Sequence, residues 1–448
     1  MDSILRETVA YTNLSAASIL FITICGFLLP MILVYPPVPP LRSEALRETH
    51  TKLGLEPGES NLKTQFSPEH GPDKSKSPKI QSLWVYPVKS CRGIEVTKAR
   101  VLPSGLMFDR IYTLAQLKSP FPVGLDSTDK EKSEHIWKFI TIRQFPRMAT
   151  VQVELWLPDI AKQKRKGFRT NEAFIIVRFP WQEDGIRGAL SWVAAKLARG
   201  WKAQPVKEIM LPVDFPSAAE IKERGYAFEQ MTIWNETVTA LNMEKDLPPE
   251  LARYLGVSNK LGLFRLDPAR LREVTRCAPT KEVVGYQPVT GLQDAYPLHL
   301  LSLSSIQEFS KKVPKDDILR DLDVRRFRAN IITSGGEPYE EESWKSIRLL
   351  PGPSSTADKC EFHVSCRTVR CRLPNVDPDT GVRHDSQPDK SLRTFRNVDE
   401  GAPKSGCLGM QLTPLFGDAK AGGGMENLIE VGMPVQILEQ GEHLYIPQ

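Results

Sequence analysis

The sequence predicts an α+β, β-rich protein in which a mainly antiparallel β-domain precedes a second, mixed β-rich domain, both behind one N-terminal transmembrane helix. Three observations predict it. From Ile80 onward, short runs rich in β-branched and aromatic residues recur, each stopped by Gly, Pro or Asp. Ahead of them, Thr8 to Leu41 contains no charged residue. The 448 residues also hold two to three domains at roughly 150 residues each, enough to bury a core without disulfide staples.

Composition narrows the class. With 41% hydrophobic and 25% charged residues the chain is ordinary globular material, which excludes a wholly disordered or collagenous protein. The 59 Lys and Arg against 54 Asp and Glu leave +5 with no dense basic run, so nucleic acid is not an expected partner. Weak attraction to anionic membranes or phosphorylated ligands is compatible with that surplus. Seven cysteines, odd in number and sparse, do not make a secreted disulfide framework; free thiols imply a reducing compartment.

The elements follow in order. Residues 1–13 are a short tail. Leu14 to Tyr35 is a 22-residue apolar run, about 33 Å as a helix and long enough for a hydrocarbon core of about 30 Å. It is long for a signal-peptide core, and Pro30 is tolerated inside membranes. Arg42, Arg47 and Lys52 follow it, which places the C-terminal part in the cytosol. Residues 36–79 carry eight prolines and few large apolar residues, which predicts a semi-rigid stalk. Strands are expected at Ile80–Tyr86, Ile94–Leu102, Arg110–Leu117, Ala149–Leu157 and Ala173–Arg178, giving a domain over 80–200 with extra sequence at about 158–225. Gly185–Leu197 has helical periodicity and reads as a covering helix. Residues 201–290 form a mixed connecting region. The second domain, 291–446, opens with a strand running into a helix at Leu298–Phe309 and returns to strands at Asn330–Ser334, Ser346–Leu350, Glu361–Arg370 and Val435–Glu439.

Three clusters could carry chemistry. Cys360–Cys371 reads CEFHVSCRTVRC. Its spacing lacks the paired knuckles of tetrahedral zinc sites, and its alternation predicts a strand on which Cys366 and Cys371 face opposite ways. Arg367 and Arg370 beside Cys371 favour a lone thiolate; a small buried hydrophobe is the alternative. Tyr86–Gly93, YPVKSCRG, offers Lys89, Ser90 and Arg92 in one turn after a strand, which suits a phosphate or other oxyanion but equally a solvated basic loop. Asp109-Arg110 and Thr141–Gln144 add polar and basic groups at strand ends. Arg325–Asn330, RRFRAN, either clamps an anion through its guanidinium forks or pairs with Asp321 and Asp323 at the surface. Neither a P-loop nor a dinucleotide-binding glycine fingerprint occurs.

Taken together and in this order, IQSLWVYPVKSCRGIEV, Asp109-Arg110, TIRQFPRM, RFRANIITSG, Tyr339 with Trp344, and Cys371 followed by PNVDPDTG resemble the MOSC-domain proteins. The likeness is strongest to the mitochondrial amidoxime-reducing component family and runs from about Ile80 to Ile446. It implies an N-terminal MOSC β-barrel-like domain and a C-terminal mixed β-barrel MOSC domain enclosing a molybdenum–pterin cofactor. It further implies that Cys371 is the catalytic thiolate ligand to molybdenum, and that Lys89, Ser90, Arg110, Arg328, Asn330 and Arg370 contact the pterin and its phosphate. Departures are the wide Cys366–Cys371 spacing, Val369 at an expected small polar position, and Asp294–Pro297 in place of a hydroxyl-rich cofactor loop.

The activity implied is reduction of N-hydroxylated compounds (amidoximes, hydroxylamines, N-oxides) by a protein anchored in the outer mitochondrial membrane, or in the endoplasmic reticulum on hydropathy alone. Electrons would come from NADH through cytochrome b5 reductase and cytochrome b5. Two other readings stand beside it. One is a MOSC-type sulfur carrier or cofactor handler without turnover, lacking room for a pyridoxal phosphate domain. The other is a tethered module with a decayed site.

Overall fold

The computed structural model describes residues 15–34, 41–119, 128, 135–167, 169–352, 359–417 and 424–447. It divides into two units, Met1–Ala45 with Pro180–Lys207, and Leu46–Phe179 with Glu208–Gln448.

The second unit is organised by an eight-stranded sheet in the order Val435–Gln440, Trp344–Leu349, Cys360–Val369, Cys407–Leu415, Leu298–Ser302, Ile331–Ser334, Lys79–Val85 and Ile94–Val96. All neighbours are antiparallel except Leu298–Ser302 and Ile331–Ser334. Between those two parallel strands runs the helix Leu303–Ser310, as a parallel pair requires a crossover connection. The helix buries Leu303, Ile306 and Phe309 in the main core with Trp84, Tyr86 and Phe327. Because Lys79–Val85 pairs with Ile331–Ser334, Leu83 opposite Ile331, strands from the two ends of the second unit share one sheet.

A closed five-stranded barrel adjoins it in sequence, made of Ala227–Ile233, Glu236–Asn242, Leu261–Arg265, Tyr112–Lys118 and Ile136–Phe139. A parallel contact of Met231 with Trp137 closes it, and its interior is filled by Ala115, Trp137, Met231, Ile233 and Phe264. Gly262 belongs there because a Cβ would meet the Phe264 and Trp137 rings. The β-rich, mixed architecture expected from the sequence is therefore present. The barrel, however, draws two strands from 112–139 and three from the region expected to be a connector.

The expected stalk differs as well. Residues 36–40 lie outside the described residues, but from residue 50 onward the chain is built into the fold. His50–Leu53 pairs antiparallel with Leu155–Pro158. Leu62 is 3% exposed in the main core. Gln65 Oε1 accepts from Val324 N at 2.9 Å, and Gln307 Nε2 donates to the carbonyls of Gln65 and Ser67, both at 2.9 Å. One well-placed leucine and satisfied backbone groups fix a segment whose composition looked too polar to fold.

In the first unit Ala16–Val34 is a 19-residue helix with Pro30 inside it, about 28 Å long. Its described side chains run from Ala16 to Leu28 and include Pro30. Among the described residues no helix is long and apolar enough to cross a membrane. The span expected over 14–35 is corrected to this shorter helix, Leu14 and Tyr35 lying outside the described residues. Gly185–Arg199 is a helix, as its period predicts, but its large aliphatic side chains are not buried as a covering helix's would be: Ile186 is 80% and Leu197 84% exposed.

Leu62→Ala should cost roughly 2–5 kcal/mol, the usual range for a truncated core leucine. It should lower the urea midpoint, with Lys63→Ala as the near-neutral control. Equal midpoints would mean that residues 50–79 are not part of the folded core.

Candidate functional site

The two sequence ends that share the sheet also share a cavity of about 700 Å³. Its wall is assembled from strand ends and turns, where side chains are freed from the sheet's alternation. The turn after Lys79–Val85 supplies Lys89 and Ser90, and the entry to Tyr112–Lys118 supplies Arg110. The tip of the hairpin between Ala227–Ile233 and Glu236–Asn242 supplies Trp234. The entry to Ile331–Ser334 supplies Arg328 and Asn330, and the exit of Cys360–Val369 supplies Arg370 and Cys371. The seven residues implied by the resemblance thus line one cavity, whereas Arg92, singled out in the same turn as Lys89 and Ser90, lies outside it and pairs with Asp379.

Four wall residues, Ser90, Arg110, Trp234 and Arg328, hold left-handed backbone at φ 67°, 49°, 55° and 55°. For a residue with a Cβ this costs roughly 1–2 kcal/mol each, and such strain persists where surrounding structure over-determines it, commonly at functional sites. The over-determination is visible around Tyr86. Its buried ring carries the Arg328 guanidinium at 4.2 Å and that of Arg110 at 4.6 Å, and its hydroxyl donates to the Ala329 carbonyl at 3.3 Å. Burial pushes the Tyr86 hydroxyl up to about 12, so it stays neutral. A Cβ on Gly93 would collide with the Tyr86 ring, which is why glycine ends the YPVKSCRG run.

Hydrogen bonds divide the basic residues into two kinds. Arg110 is committed: Nη1 donates to Asp109 Oδ2 at 2.5 Å and to Asn330 Oδ1 at 3.2 Å, and Nη2 donates to the Arg328 carbonyl at 3.2 Å. Asn330 also donates through Nδ2 to the Trp84 carbonyl at 3.1 Å, so it acts as a brace for Arg110. Lys89 Nζ donates to the Leu292 carbonyl at 2.8 Å and to Asp294 Oδ1 at 2.5 Å; burial pulls its ammonium below the usual lysine range, against the pull of Asp294. Arg370, by contrast, donates from Nη2 to the Phe327 carbonyl at 2.9 Å while its buried Nε has no partner. Arg328 donates to the Cys91 carbonyl at 2.7 Å.

The wall as a whole is cationic. Seven basic residues, Lys89, Arg110, Arg143, Arg272, Arg328, Arg367 and Arg370, line it against three acidic ones, Glu236, Glu273 and Asp294, while Asp109 behind the lining pairs with Arg110, and Glu342 and Asp399 pair with Arg367. A part-exposed thiol, Cys371, opens into this basin. Such a donor set fits an anionic, phosphate-bearing group with a metal that accepts a soft thiolate: Arg370, next to Cys371 in the chain, keeps a buried Nε without a partner. Among the described residues no group of three or more His, Cys, Asp or Glu could hold a metal ion by itself.

Several wall residues escaped the sequence reading. Arg272 clamps the 291–294 loop, donating to the carbonyls of Gly291, Gln293 and Asp294 at 3.2, 2.9 and 3.2 Å. His299 is a buried imidazole kept well below its ordinary range by burial and then by Arg370 and Arg110, hence neutral. Neither sits in a motif. Asp294, Ala295 and Tyr296 do line the cavity, but the Tyr296 hydroxyl donates away, to the Arg276 carbonyl at 2.9 Å.

The other cysteines separate cleanly. Cys91, inside YPVKSCRG, is fully buried and pushed up to about 12 by burial. Cys366 is buried and packs with Val274, Tyr296 and the part-exposed Cys277. Its thiol hydrogen-bonds to the Cys277 sulfur, and that bond holds Cys277 down at about 6 against the effect of burial.

Comparison with known proteins now bears on this geometry. Residues 77–171 match the family described as MOSC N-terminal beta barrel domain, and residues 287–436 match the MOSC domain. The chain is 23% identical over 371 residues to mitochondrial amidoxime-reducing component 1 of Homo sapiens, covering 81% of this chain and 83% of that one. To component 1 of Mus musculus it is 22% identical over 366 residues, covering 81% and 82%. To component 2 of Rattus norvegicus it is 22% identical over 347 residues, covering 75% and 77%.

The Cys277–Cys366 contact has a measurable consequence. Alkylation of Cys277 by iodoacetamide, followed by peptide mass spectrometry, should rise through pH 6 and level off by neutrality, because only the thiolate reacts. In Cys366→Ala the rise should move up towards the ordinary thiol range of about 8.5. A wild-type profile still climbing through pH 8 would show that the hydrogen bond does not hold the thiolate.

Proposed function

We propose, for a chain that belongs to the MOSC domain-containing proteins, that it is a molybdenum cofactor-dependent oxidoreductase acting on N-hydroxylated substrates. The observation that carries this reading is the juxtaposition of the Cys371 thiol, the unpartnered Arg370 Nε and the Tyr86-stacked Arg328 and Arg110 in one cationic cavity. Relatives named as amidoxime-reducing components support the substrate class.

In this reading Cys371 is the protein's ligand to molybdenum. Arg328, Arg370 and Ser90 hold the pterin and its phosphate, Arg110 is oriented for the same task by Asp109 and Asn330, and Lys89 closes the anionic end. When bound, the cofactor supplies the two-electron reduction that splits the N–O bond and releases its oxygen as water. The chain's own contribution is binding and orientation. Guanidinium groups already stacked and braced lose little entropy on meeting an anion. The hairpin tip at Trp234, 40% exposed, forms a wall where a substrate enters, its indole Nε1 fixed on Asp294 Oδ1 at 3.2 Å.

Electrons would reach the site from NADH through cytochrome b5 reductase and cytochrome b5. The apolar helix Ala16–Val34, exposed along Phe21 and Phe27, supports attachment to a membrane, by resemblance the outer mitochondrial one with the second unit in the cytosol.

The test is the full chain made in a host that synthesises the cofactor, assayed for amidoxime reduction with NADH, cytochrome b5 and its reductase, beside its molybdenum content. Cys371→Ser should lower turnover by about a hundred-fold or more, and Arg328→Lys, which loses planar stacking on Tyr86, by about ten-fold with reduced molybdenum. Full turnover and molybdenum content in Cys371→Ser would remove the ligand assignment.

A further inference from the structure

The first unit contains a helix whose burial is inverted relative to an ordinary amphipathic helix. In Gly185–Arg199 the inward positions are small: Gly188 and Ala195 are buried and Ser191 is half-buried. At 100° per residue these three fall on one side. Ile186, Leu190, Val193 and Leu197 follow the i, i+4, i+7, i+11 pattern of the opposite side. They are 80%, 43%, 45% and 84% exposed. A four-residue aliphatic stripe about 17 Å long therefore faces outward, with Trp201, 84% exposed, just past the helix end.

Charge says what covers it. After Glu183 and Asp184, which precede the helix, no acidic residue occurs through Lys202, whereas Arg187, Lys196, Arg199 and Lys202 are cationic. Arg187 and Lys196 flank the stripe on its two sides. Lys196 lies with its ammonium 4.6 Å from the Trp192 ring and 5.9 Å from that of Trp201, a long cation alongside amphipathic indoles, the arrangement favoured at a membrane–water boundary. A protein groove that took the aliphatic stripe would have to match these flanking cations as well. An anionic lipid surface meets both demands at once, because acyl chains take the stripe and headgroups take the flanks.

We propose that the helix Gly185–Arg199, with Trp201 and Lys202, lies flat on an anionic lipid bilayer and forms a second membrane contact, separate from Ala16–Val34. The contact goes beyond the redox reading and does not depend on it. It would also be more salt-sensitive than insertion of an uncharged helix, since its cations act through a screened surface potential.

Hydrogen exchange on the full chain tests it, with peptides covering 185–202 read in buffer, with phosphatidylcholine vesicles, and with vesicles that also contain phosphatidylserine. The expected result is slowed exchange at 185–202 only with the phosphatidylserine vesicles, lost at high salt. The double variant Arg187→Glu, Lys196→Glu should lose the anion-dependent part of vesicle binding by roughly ten-fold or more. Ile186→Ser with Leu197→Ser, at exposed positions, should abolish the local protection without unfolding the chain. Neutral vesicles report any attachment through Ala16–Val34 separately. Unchanged exchange at 185–202 while the chain is bound to anionic vesicles would overturn the proposal. So would equal protection on neutral vesicles, or protection that appears without lipid as the protein is concentrated, which would assign the stripe to a second copy.

Discussion

Two guanidinium groups stacked on one buried tyrosine ring are the constraint around which the rest of the site is arranged. Arg110 and Arg328 both lie against Tyr86, and bringing two like charges together away from water is unfavourable unless each is neutralised or hydrogen-bonded. Asp109, whose carboxylate is inaccessible to solvent, pairs with Arg110 and also accepts from the Tyr86 backbone N–H at 2.8 Å. Asn330 and the carbonyls of Arg328 and Cys91 take further donors. The antiparallel pairing of Lys79–Val85 with Ile331–Ser334 is what makes this possible, since it carries YPVKSCRG and RFRAN to the same end of the two strands. Glycine at 93 then leaves the ring its space. The basic residues that line the cavity leave it a surplus of positive charge.

The barrel and the sheet contribute differently. The sheet fixes the cationic floor through strand ends with strained φ angles. The barrel contributes the hairpin tip that carries Trp234, whose ring is covered by the Arg143 guanidinium at 4.3 Å and tilted against Phe139 at 5.5 Å. Between them the 291–294 loop is held from both sides, by Lys89 on Leu292 and Asp294 and by Arg272 on Gly291, Gln293 and Asp294. The floor is thus braced before any ligand arrives, the condition under which binding costs least ordering.

Much of the site was legible because its residues sit where strands stop. Pro87, Arg328 before Asn330, and Cys371 after Val369 all mark points at which alternation breaks, and chemistry-bearing residues are concentrated there. Arg272 and His299 gave no such signal: each is a single polar residue within a short strand, Arg272–Glu273 and Leu298–Ser302, and only tertiary contacts bring it to the cavity. The barrel was missed because the turn Trp234-Asn235 lacks the glycine that usually announces a two-residue hairpin; Trp234 takes the left-handed conformation instead. Helical period gave a helix over Gly185–Leu197, which the structure extends to Arg199, but period cannot say which side is buried, and the small side is. The segment 41–79 looked like a spacer by composition, yet composition averages away the buried leucines at 46 and 62 and the backbone contacts around them.

The central claim is that Cys371 ligates molybdenum inside this cationic cavity, and X-ray absorption at the molybdenum edge addresses it most directly. Wild-type and Cys371→Ser proteins, both loaded with cofactor, would be compared for the sulfur atoms around the metal. The account predicts that the variant loses a sulfur ligand and gains an oxygen or nitrogen in its place, the cofactor's own sulfurs remaining. An identical sulfur shell in the two proteins would contradict it, leaving the cavity a cationic binding site in which Cys371 does not touch the metal.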